Sequence, residues 1–260
     1  MIKIGIILMK GESSMGHLVL IGGGNNGGRG TDYETGAIDA KIKELTGKSA
    51  PHFLFLGFAT TCPDSYFRAI KRNFKALGCT VAQLTKKDLL DSDTVQQKLS
   101  AADIIYLGGG NTLRLTRTLR KYGLDGIIRR EYASGKVIAG ISAGAIAISR
   151  FGLSDVRKND DGSGKYVRVK GLDLLPMLFC PHYNTQPARQ NDLPRMLKRT
   201  PRLCAVTADD GAALVVSDTT VQAVSALPNA GVCRYWYQKG ELFCFPLFED
   251  EQYRLSDFLE

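Results

Sequence analysis

The chain has no long hydrophobic run. Nothing in its 260 residues approaches the roughly 18–20 continuous apolar positions a helical membrane span needs. The opening MIKIGIILMKGESS holds one apolar patch, short for a signal h-region and without an A-x-A-like cleavage site after it. Residues 1–14 are therefore expected to be an extension ahead of a first strand at GHLVLI, and no membrane partner is expected. There is no C-x-x-C pair either. The six cysteines are dispersed, a spacing that excludes a zinc knuckle or disulfide frame and fits reduced thiols in the cytoplasm. Histidine is scarce, with three in the whole chain, so no metal cluster and no metal cofactor are expected. The charge of +8 is not gathered into a nucleic-acid-binding stripe. Its basic residues sit in short runs such as KRNFK, IIRREY and MLKRTPR, mixed with acids at helical spacing and without interleaved aromatics.

What is present is an alternation. HLVLI, HFLFLGF, CTVAQL, DIIYL and KVIAGI are short apolar runs of strand type, and amphipathic segments separate them. In PDSYFRAIKRNFKALG, for example, Phe67, Ile70, Phe74 and Leu77 share one helical face and Gly78 supplies a stop. A further helix is expected over 88–100. Strands apolar at nearly every position, alternating with helices, predict an α/β fold of three layers, αβα, around a mainly parallel sheet. After residue 150 the pattern changes to the polar loop VRKNDDGSGKY, the strand MLFCP, a helix near 188–198 and then short strands. These end in a hairpin, CRYWYQ-KG-ELFCF, with a Lys-Gly turn. With neither repeats nor linker, a single domain over 15–260 is expected.

Three strand ends carry glycine. LVLIGGGNNGGRG satisfies G-x-G-x-x-G through Gly22, Gly24 and Gly27, but the helix is delayed and the second strand ends in LGFAT without the acid a dinucleotide site needs. A nucleotide-binding module using this loop stands as an alternative. IIYLGGGNT runs into Gly108–Gly110 with a helix opening near Asn111 and Thr112, a turn whose N–H groups can hold an oxyanion or can simply reverse the chain. The third, Gly140-Ile141-Ser142-Ala143-Gly144, is G-x-S-x-G between a strand and a helix, the context of a nucleophile elbow. Small neighbours make room for a serine on a strained turn.

A serine hydroxyl needs a base. His17 and His52 open predicted strands, the wrong edge of a parallel sheet, whereas His182 in CPHYNT follows the strand MLFC at the edge where such folds gather their chemistry. The orienting acid stays open. Asp155 lies between serine and histidine in one familiar chain order, Asp209 and Asp210 follow the strand CAVT, and Asp160 and Asp161 read as solvent-facing loop acids.

At these residues the sequence resembles the serine-peptidase family that contains dipeptidase E (aspartyl dipeptidase) and cyanophycinase. The shared elements come in order over roughly residues 16–240: GGGNT after a strand, G-x-SAGA at the elbow, PHY after a later strand and an acidic D-D-G turn at 209–211. The resemblance implies a fold like the class I glutamine amidotransferases (flavodoxin-like), with serine in place of their cysteine. It implies Ser142 as nucleophile, His182 as base, and the N–H groups of Gly110 and Ala143 as oxyanion hole. Asp155 would complete the triad by its place between elbow and histidine. Asp210 would support the histidine or bind substrate, and Asn111 is counted with the substrate-binding or supporting residues.

The dipeptidase carries, in a longer segment after its histidine, an arginine tied to aspartyl recognition. In the shorter HYNTQPARQNDL the candidate for that role is Arg189. The implied activity is hydrolysis of short peptides, Asp-X among them, through an acyl-enzyme and without a cofactor, by a monomer or a homodimer. The loop 156–166 is expected to act as a lid. An esterase or amidase with the same triad is the alternative enzyme.

Overall fold

In β1 (His17–Ile21) Leu18 and Leu20 enter one apolar layer, Val19 and Ile21 enter the other, and all four are fully buried. A strand apolar at consecutive positions needs cover on both faces. The computed structural model describes residues 15–28, 30–155 and 165–260. The expectations for residues 1–14 and, apart from Lys165 and Tyr166, for the lid lie outside the described residues.

The alternation read from the sequence continues through α1 (Gly36–Glu44), β2 (His52–Leu56), α2 (Pro63–Ala76), β3 (Thr80–Leu84), α3 (Ser92–Ala101), β4 (Ile104–Leu107), α4 (Thr112–Lys121), α5 (Leu124–Ala133) and β5 (Val137–Ile141). The helix expected over 88–100 is divided. A 3-10 turn at Asp88–Leu90 precedes Asp91, whose side chain accepts from the Asp93 N–H at 3.1 Å and starts α3 afresh.

Beyond β5 come α6 (Ala143–Ile148), β6 (Ser149–Ser154), β7 (Val167–Lys170), β8 (Leu175–Cys180), α7 (Ala188–Lys198), β9 (Ala205–Ala208), β10 (Ala212–Ser217), β11 (Thr220–Ser225), β12 (Val232–Gln238), β13 (Glu241–Leu247), β14 (Tyr253–Arg254) and α8 (Leu255–Leu259). Strands β1, β5, β4, β2 and β3 are mutually parallel and form the greater part of an eight-stranded sheet, ordered β14-β11-β10-β1-β5-β4-β2-β3. Antiparallel β10, β11 and β14 extend it past β1.

The short strands after residue 150 build more than the expected hairpin. They form a second sheet, β13-β12-β9-β8-β6-β7, in which β8 runs parallel to β6 and β9. One face of this sheet, through Met177, Phe179 and Val206, joins the core layer that also holds Leu18, Leu107 and Ile138. Its other face, through Leu178 and Ala205, packs on Leu193 and Leu197 of α7. Helices α1 and α2 cover the opposite face of the first sheet through Ile38, Ile42, Ile70 and Phe74. The hairpin β12–β13 closes through Lys239 (φ 51°) and Gly240 (φ 88°), both left-handed as a two-residue turn of matching twist requires. No helix among the described residues is long and apolar enough to cross a membrane.

Candidate active site

Strand β5 lies between β1 and β4, so its carboxyl end opens at the centre of the first sheet. Ser142 sits there at φ 54°, ψ −110°, a strained conformation for a residue with a side chain. Its N–H donates to the Ile21 carbonyl at 2.9 Å, and its own carbonyl accepts from Ile146 N–H at 3.0 Å, which launches α6. The glycines on either side are required by contact. A Cβ on Gly140 would lie 2.4 Å from the Gly144 carbonyl carbon, and one on Gly144 would lie 2.0 Å from the Leu107 oxygen. The small residues around the serine let β5, α6 and β4 meet closely enough to force it outward.

His182 follows β8, also at φ 54°. Its Nε2 lies 2.8 Å from Ser142 Oγ, and its Nδ1 lies 2.5 Å from Asp210 Oδ1. An ionised carboxylate only accepts, so Nδ1 carries the proton toward Asp210 and leaves the Nε2 lone pair to receive the serine hydroxyl. Asp210 is fixed in turn. Its Oδ2 accepts from the Thr185 hydroxyl at 2.7 Å, and its N–H donates to Asn184 Oδ1 at 3.0 Å. Burial pulls the Asp210 carboxyl upward, but the hydrogen bond to His182, the attraction of that ring and the Thr185 hydroxyl outweigh it, and the pKa lies below the ordinary value.

The acid beside the histidine is thus Asp210 rather than Asp155, which lies exposed just past the end of β6. Chain order pointed to Asp155. The β9–β10 turn, delivered by the second sheet, brings Asp210 to the imidazole instead. Asp209 faces away, accepting from the Gly231 N–H at 3.0 Å, and burial raises its pKa.

Gly110, at φ 130°, and Ser142 line one cavity of about 260 Å3 together with Gly23, Tyr66 and His182. A Cβ at Gly110 would lie 2.7 Å from the Ala59 oxygen, so the turn admits only glycine there. Ala143 is the first residue of α6, where N–H groups have no intrahelical acceptor. Asn111 caps α4, its Oδ1 accepting from Arg114 N–H at 2.9 Å, so its side chain is occupied in the fold.

Arg189 is 1% exposed. Its Nε donates to Gln186 Oε1 at 2.8 Å, Nη1 donates to the Leu153 carbonyl, and the guanidinium stacks 4.5 Å from the Tyr166 ring centroid. It is an internal tie between α7, β6 and Tyr166, not a group free to read a substrate carboxylate. His17, at the other edge, contacts Ser217 Oγ at 3.0 Å.

Sequence reasoning did not find Gly23, Asn184 or Thr185. The glycines that open the loop after β1 are required by contact: a Cβ on Gly22 would lie 2.3 Å from the Asp209 oxygen and one on Gly23 would lie 1.9 Å from Asp210 Oδ1. The polar pair in HYNT, two and three residues past His182, was the available signal for the support of Asp210. Among the described residues no group of three or more His, Cys, Asp or Glu side chains is placed to hold a metal.

The sequence profile of peptidase family S51 matches residues 18–224, a span that holds every residue of this relay. The chain belongs to peptidase family S51. It is 30% identical over 234 residues to the uncharacterized peptidase YgaJ of Bacillus subtilis, covering 90% of this chain and 97% of that one. It is 29% identical over 160 residues to peptidase E of Shewanella denitrificans, 61% of this chain and 64% of that one. A crystal structure of a peptidase from an acI-B1 Actinobacterium shares the fold, with a TM-score of 0.71 at 20% identity over 93% of this chain and 98% of that one. As a member of family S51 the protein is a serine peptidase.

Proposed function

We propose that this S51 peptidase hydrolyses short peptides through an acyl-enzyme on Ser142, with His182 as general base and Asp210 as the carboxylate that orients it. The observation that carries the reading is the continuous pair of contacts, Ser142 Oγ to His182 Nε2 at 2.8 Å and His182 Nδ1 to Asp210 Oδ1 at 2.5 Å. As Oγ attacks the peptide carbonyl carbon, its proton passes to Nε2, and Asp210 stabilises the imidazolium that forms. The carbonyl oxygen becomes an oxyanion held by the Gly110 and Ala143 N–H groups, each donor contributing about 3 kcal/mol in sites of this kind.

When the C–N bond breaks, Nε2 gives the proton to the leaving amine. Water then attacks the ester, His182 takes one of its protons, and Ser142 Oγ is restored as hydroxyl. A strict Asp-X preference has no support from Arg189, which is committed internally. A reducing, cytoplasmic setting is part of the reading, supported by six cysteines that are all free.

The test is turnover of a dipeptide and tripeptide panel by the wild type and by Ser142→Ala. The variant is expected to lose cleavage of every substrate the wild type accepts while keeping its melting temperature. Retained cleavage in the variant would refute the role of Ser142.

A further inference from the structure

The Ser142 cavity does not end at the catalytic residues. It shares Gly24, Asn26 and Tyr66 with a larger cleft of about 760 Å3 that runs between the glycine loop after β1 and the start of α2. Two arginines one helical turn apart, Arg68 and Arg72, line that cleft, and its described lining holds no carboxylate. The Arg72 guanidinium donates from Nη2 to the carbonyls of Gly27 at 2.7 Å and Asn26 at 3.4 Å, so it is anchored at the rim with further N–H groups to spare. Arg68 is exposed, and among the described residues neither guanidinium has a carboxylate within ion-pair distance.

The direction of the cleft is set by the histidine. His182 returns its proton to the leaving amine, so the leaving half of a substrate lies on the side of the imidazole. That ring rests on Gly23, and Gly24, the next residue, is where the cleft begins; Asn26 then leads to Arg72. Resting on the serine-peptidase reading above, we infer that this cleft takes the leaving half of the peptide and that Arg68 and Arg72 bind its free C-terminal carboxylate. The guanidinium fork matches a carboxylate, and a terminal carboxylate is the one anion that every short peptide presents whatever its side chains. The substrate class becomes short peptides cut close to a free C-terminus, with selection by chain end rather than by side chain.

The experiment follows protection of Ser142 from a fluorophosphonate probe by di- and tripeptides, each supplied as free acid and as C-terminal amide. Every protein is compared with its own peptide-free labelling rate. In the wild type the acids are expected to protect at concentrations about tenfold lower than their amides, the scale of a charge-assisted hydrogen-bonded pair. In Arg68→Ala, at an exposed position that the fold does not need, the difference is expected to shrink to about threefold or less, with Arg68→Lys in between. Equal protection by acids and amides in the wild type would overturn the assignment, as would a full tenfold difference surviving in Arg68→Ala. If the probe fails to label Ser142 at all, it is the serine-peptidase reading that fails first and this subsite falls with it.

Discussion

Gly23 and His182 are in such close contact that a Cβ on the glycine would stand 2.4 Å from both Cε1 and Nδ1 of the imidazole. The loop after β1 therefore serves as the floor on which the histidine and its aspartate rest. Gly23→Ala is expected to displace the imidazole and lower kcat/KM by about 100-fold, the usual effect of an ångström-scale misplacement. Far-UV circular dichroism and peptide kinetics check it together. Full activity in the variant would show that the ring has room to spare.

The two candidate acids make opposite predictions. Asp210→Asn keeps the shape but favours the wrong imidazole tautomer, and kcat is expected to fall by roughly 1,000-fold to 10,000-fold. Asp155→Ala, at an exposed position past β6, is expected to stay within about twofold of the wild type by the same mechanism. Steady-state kinetics of the pair decide between them.

Arg189 tests the difference between a substrate reader and an internal tie. Arg189→Met removes the guanidinium donor from the Leu153 carbonyl and leaves Gln186 Oε1 with the Tyr166 hydroxyl alone, which costs about 2–4 kcal/mol of stability. A lower denaturation midpoint with KM unchanged for acidic and neutral peptides is the expected result. A rise in KM confined to acidic peptides would instead place the guanidinium on the substrate.

Asp39 of α1 is fully buried, accepts from the Tyr33 and Thr35 hydroxyls, and has its pKa pushed up to about 7, chiefly by burial. The sign follows from proton uptake. Between the unfolded value near 3.8 and about 7 the folded state holds the extra proton, so stability falls as pH rises through that window and levels off above it. Asp39→Asn, which mimics the protonated acid, is expected to flatten the melting temperature between about pH 4 and pH 7 and to exceed the wild type at pH 8. Asp210 acts in the opposite direction at lower pH. Its depressed pKa gives stability that is present above the usual carboxylate range and is lost as pH falls through the folded value.

The parallel half of the fold was legible because its signals are local. β1, β2, β4 and β5 are apolar runs separated by helical segments, and the elbow is a short motif that joins β5 to α6. His182 was accessible by elimination among three histidines. Asp210 stayed in competition with Asp155, because nothing near it in sequence says that the β9–β10 turn lies beside Gly23, a pairing of residues far apart along the chain. The second sheet was missed for the same reason: MLFC and CAVT read as strands, but that β8 and β9 pair with β6 and β12 in a sheet of their own depends on non-local partners. Arg189 was misplaced because its position after the histidine carried the expectation, whereas the burial of α7 against the second sheet decides its role.

The central claim is that His182 activates Ser142, and one measurement addresses it directly: the protein is treated with a serine-reactive fluorophosphonate, and the modified residue is located by peptide mass spectrometry. A single label is expected on Ser142, and it disappears in a folded His182→Ala variant. A label on another serine, or equal labelling of Ser142 without the histidine, would contradict it.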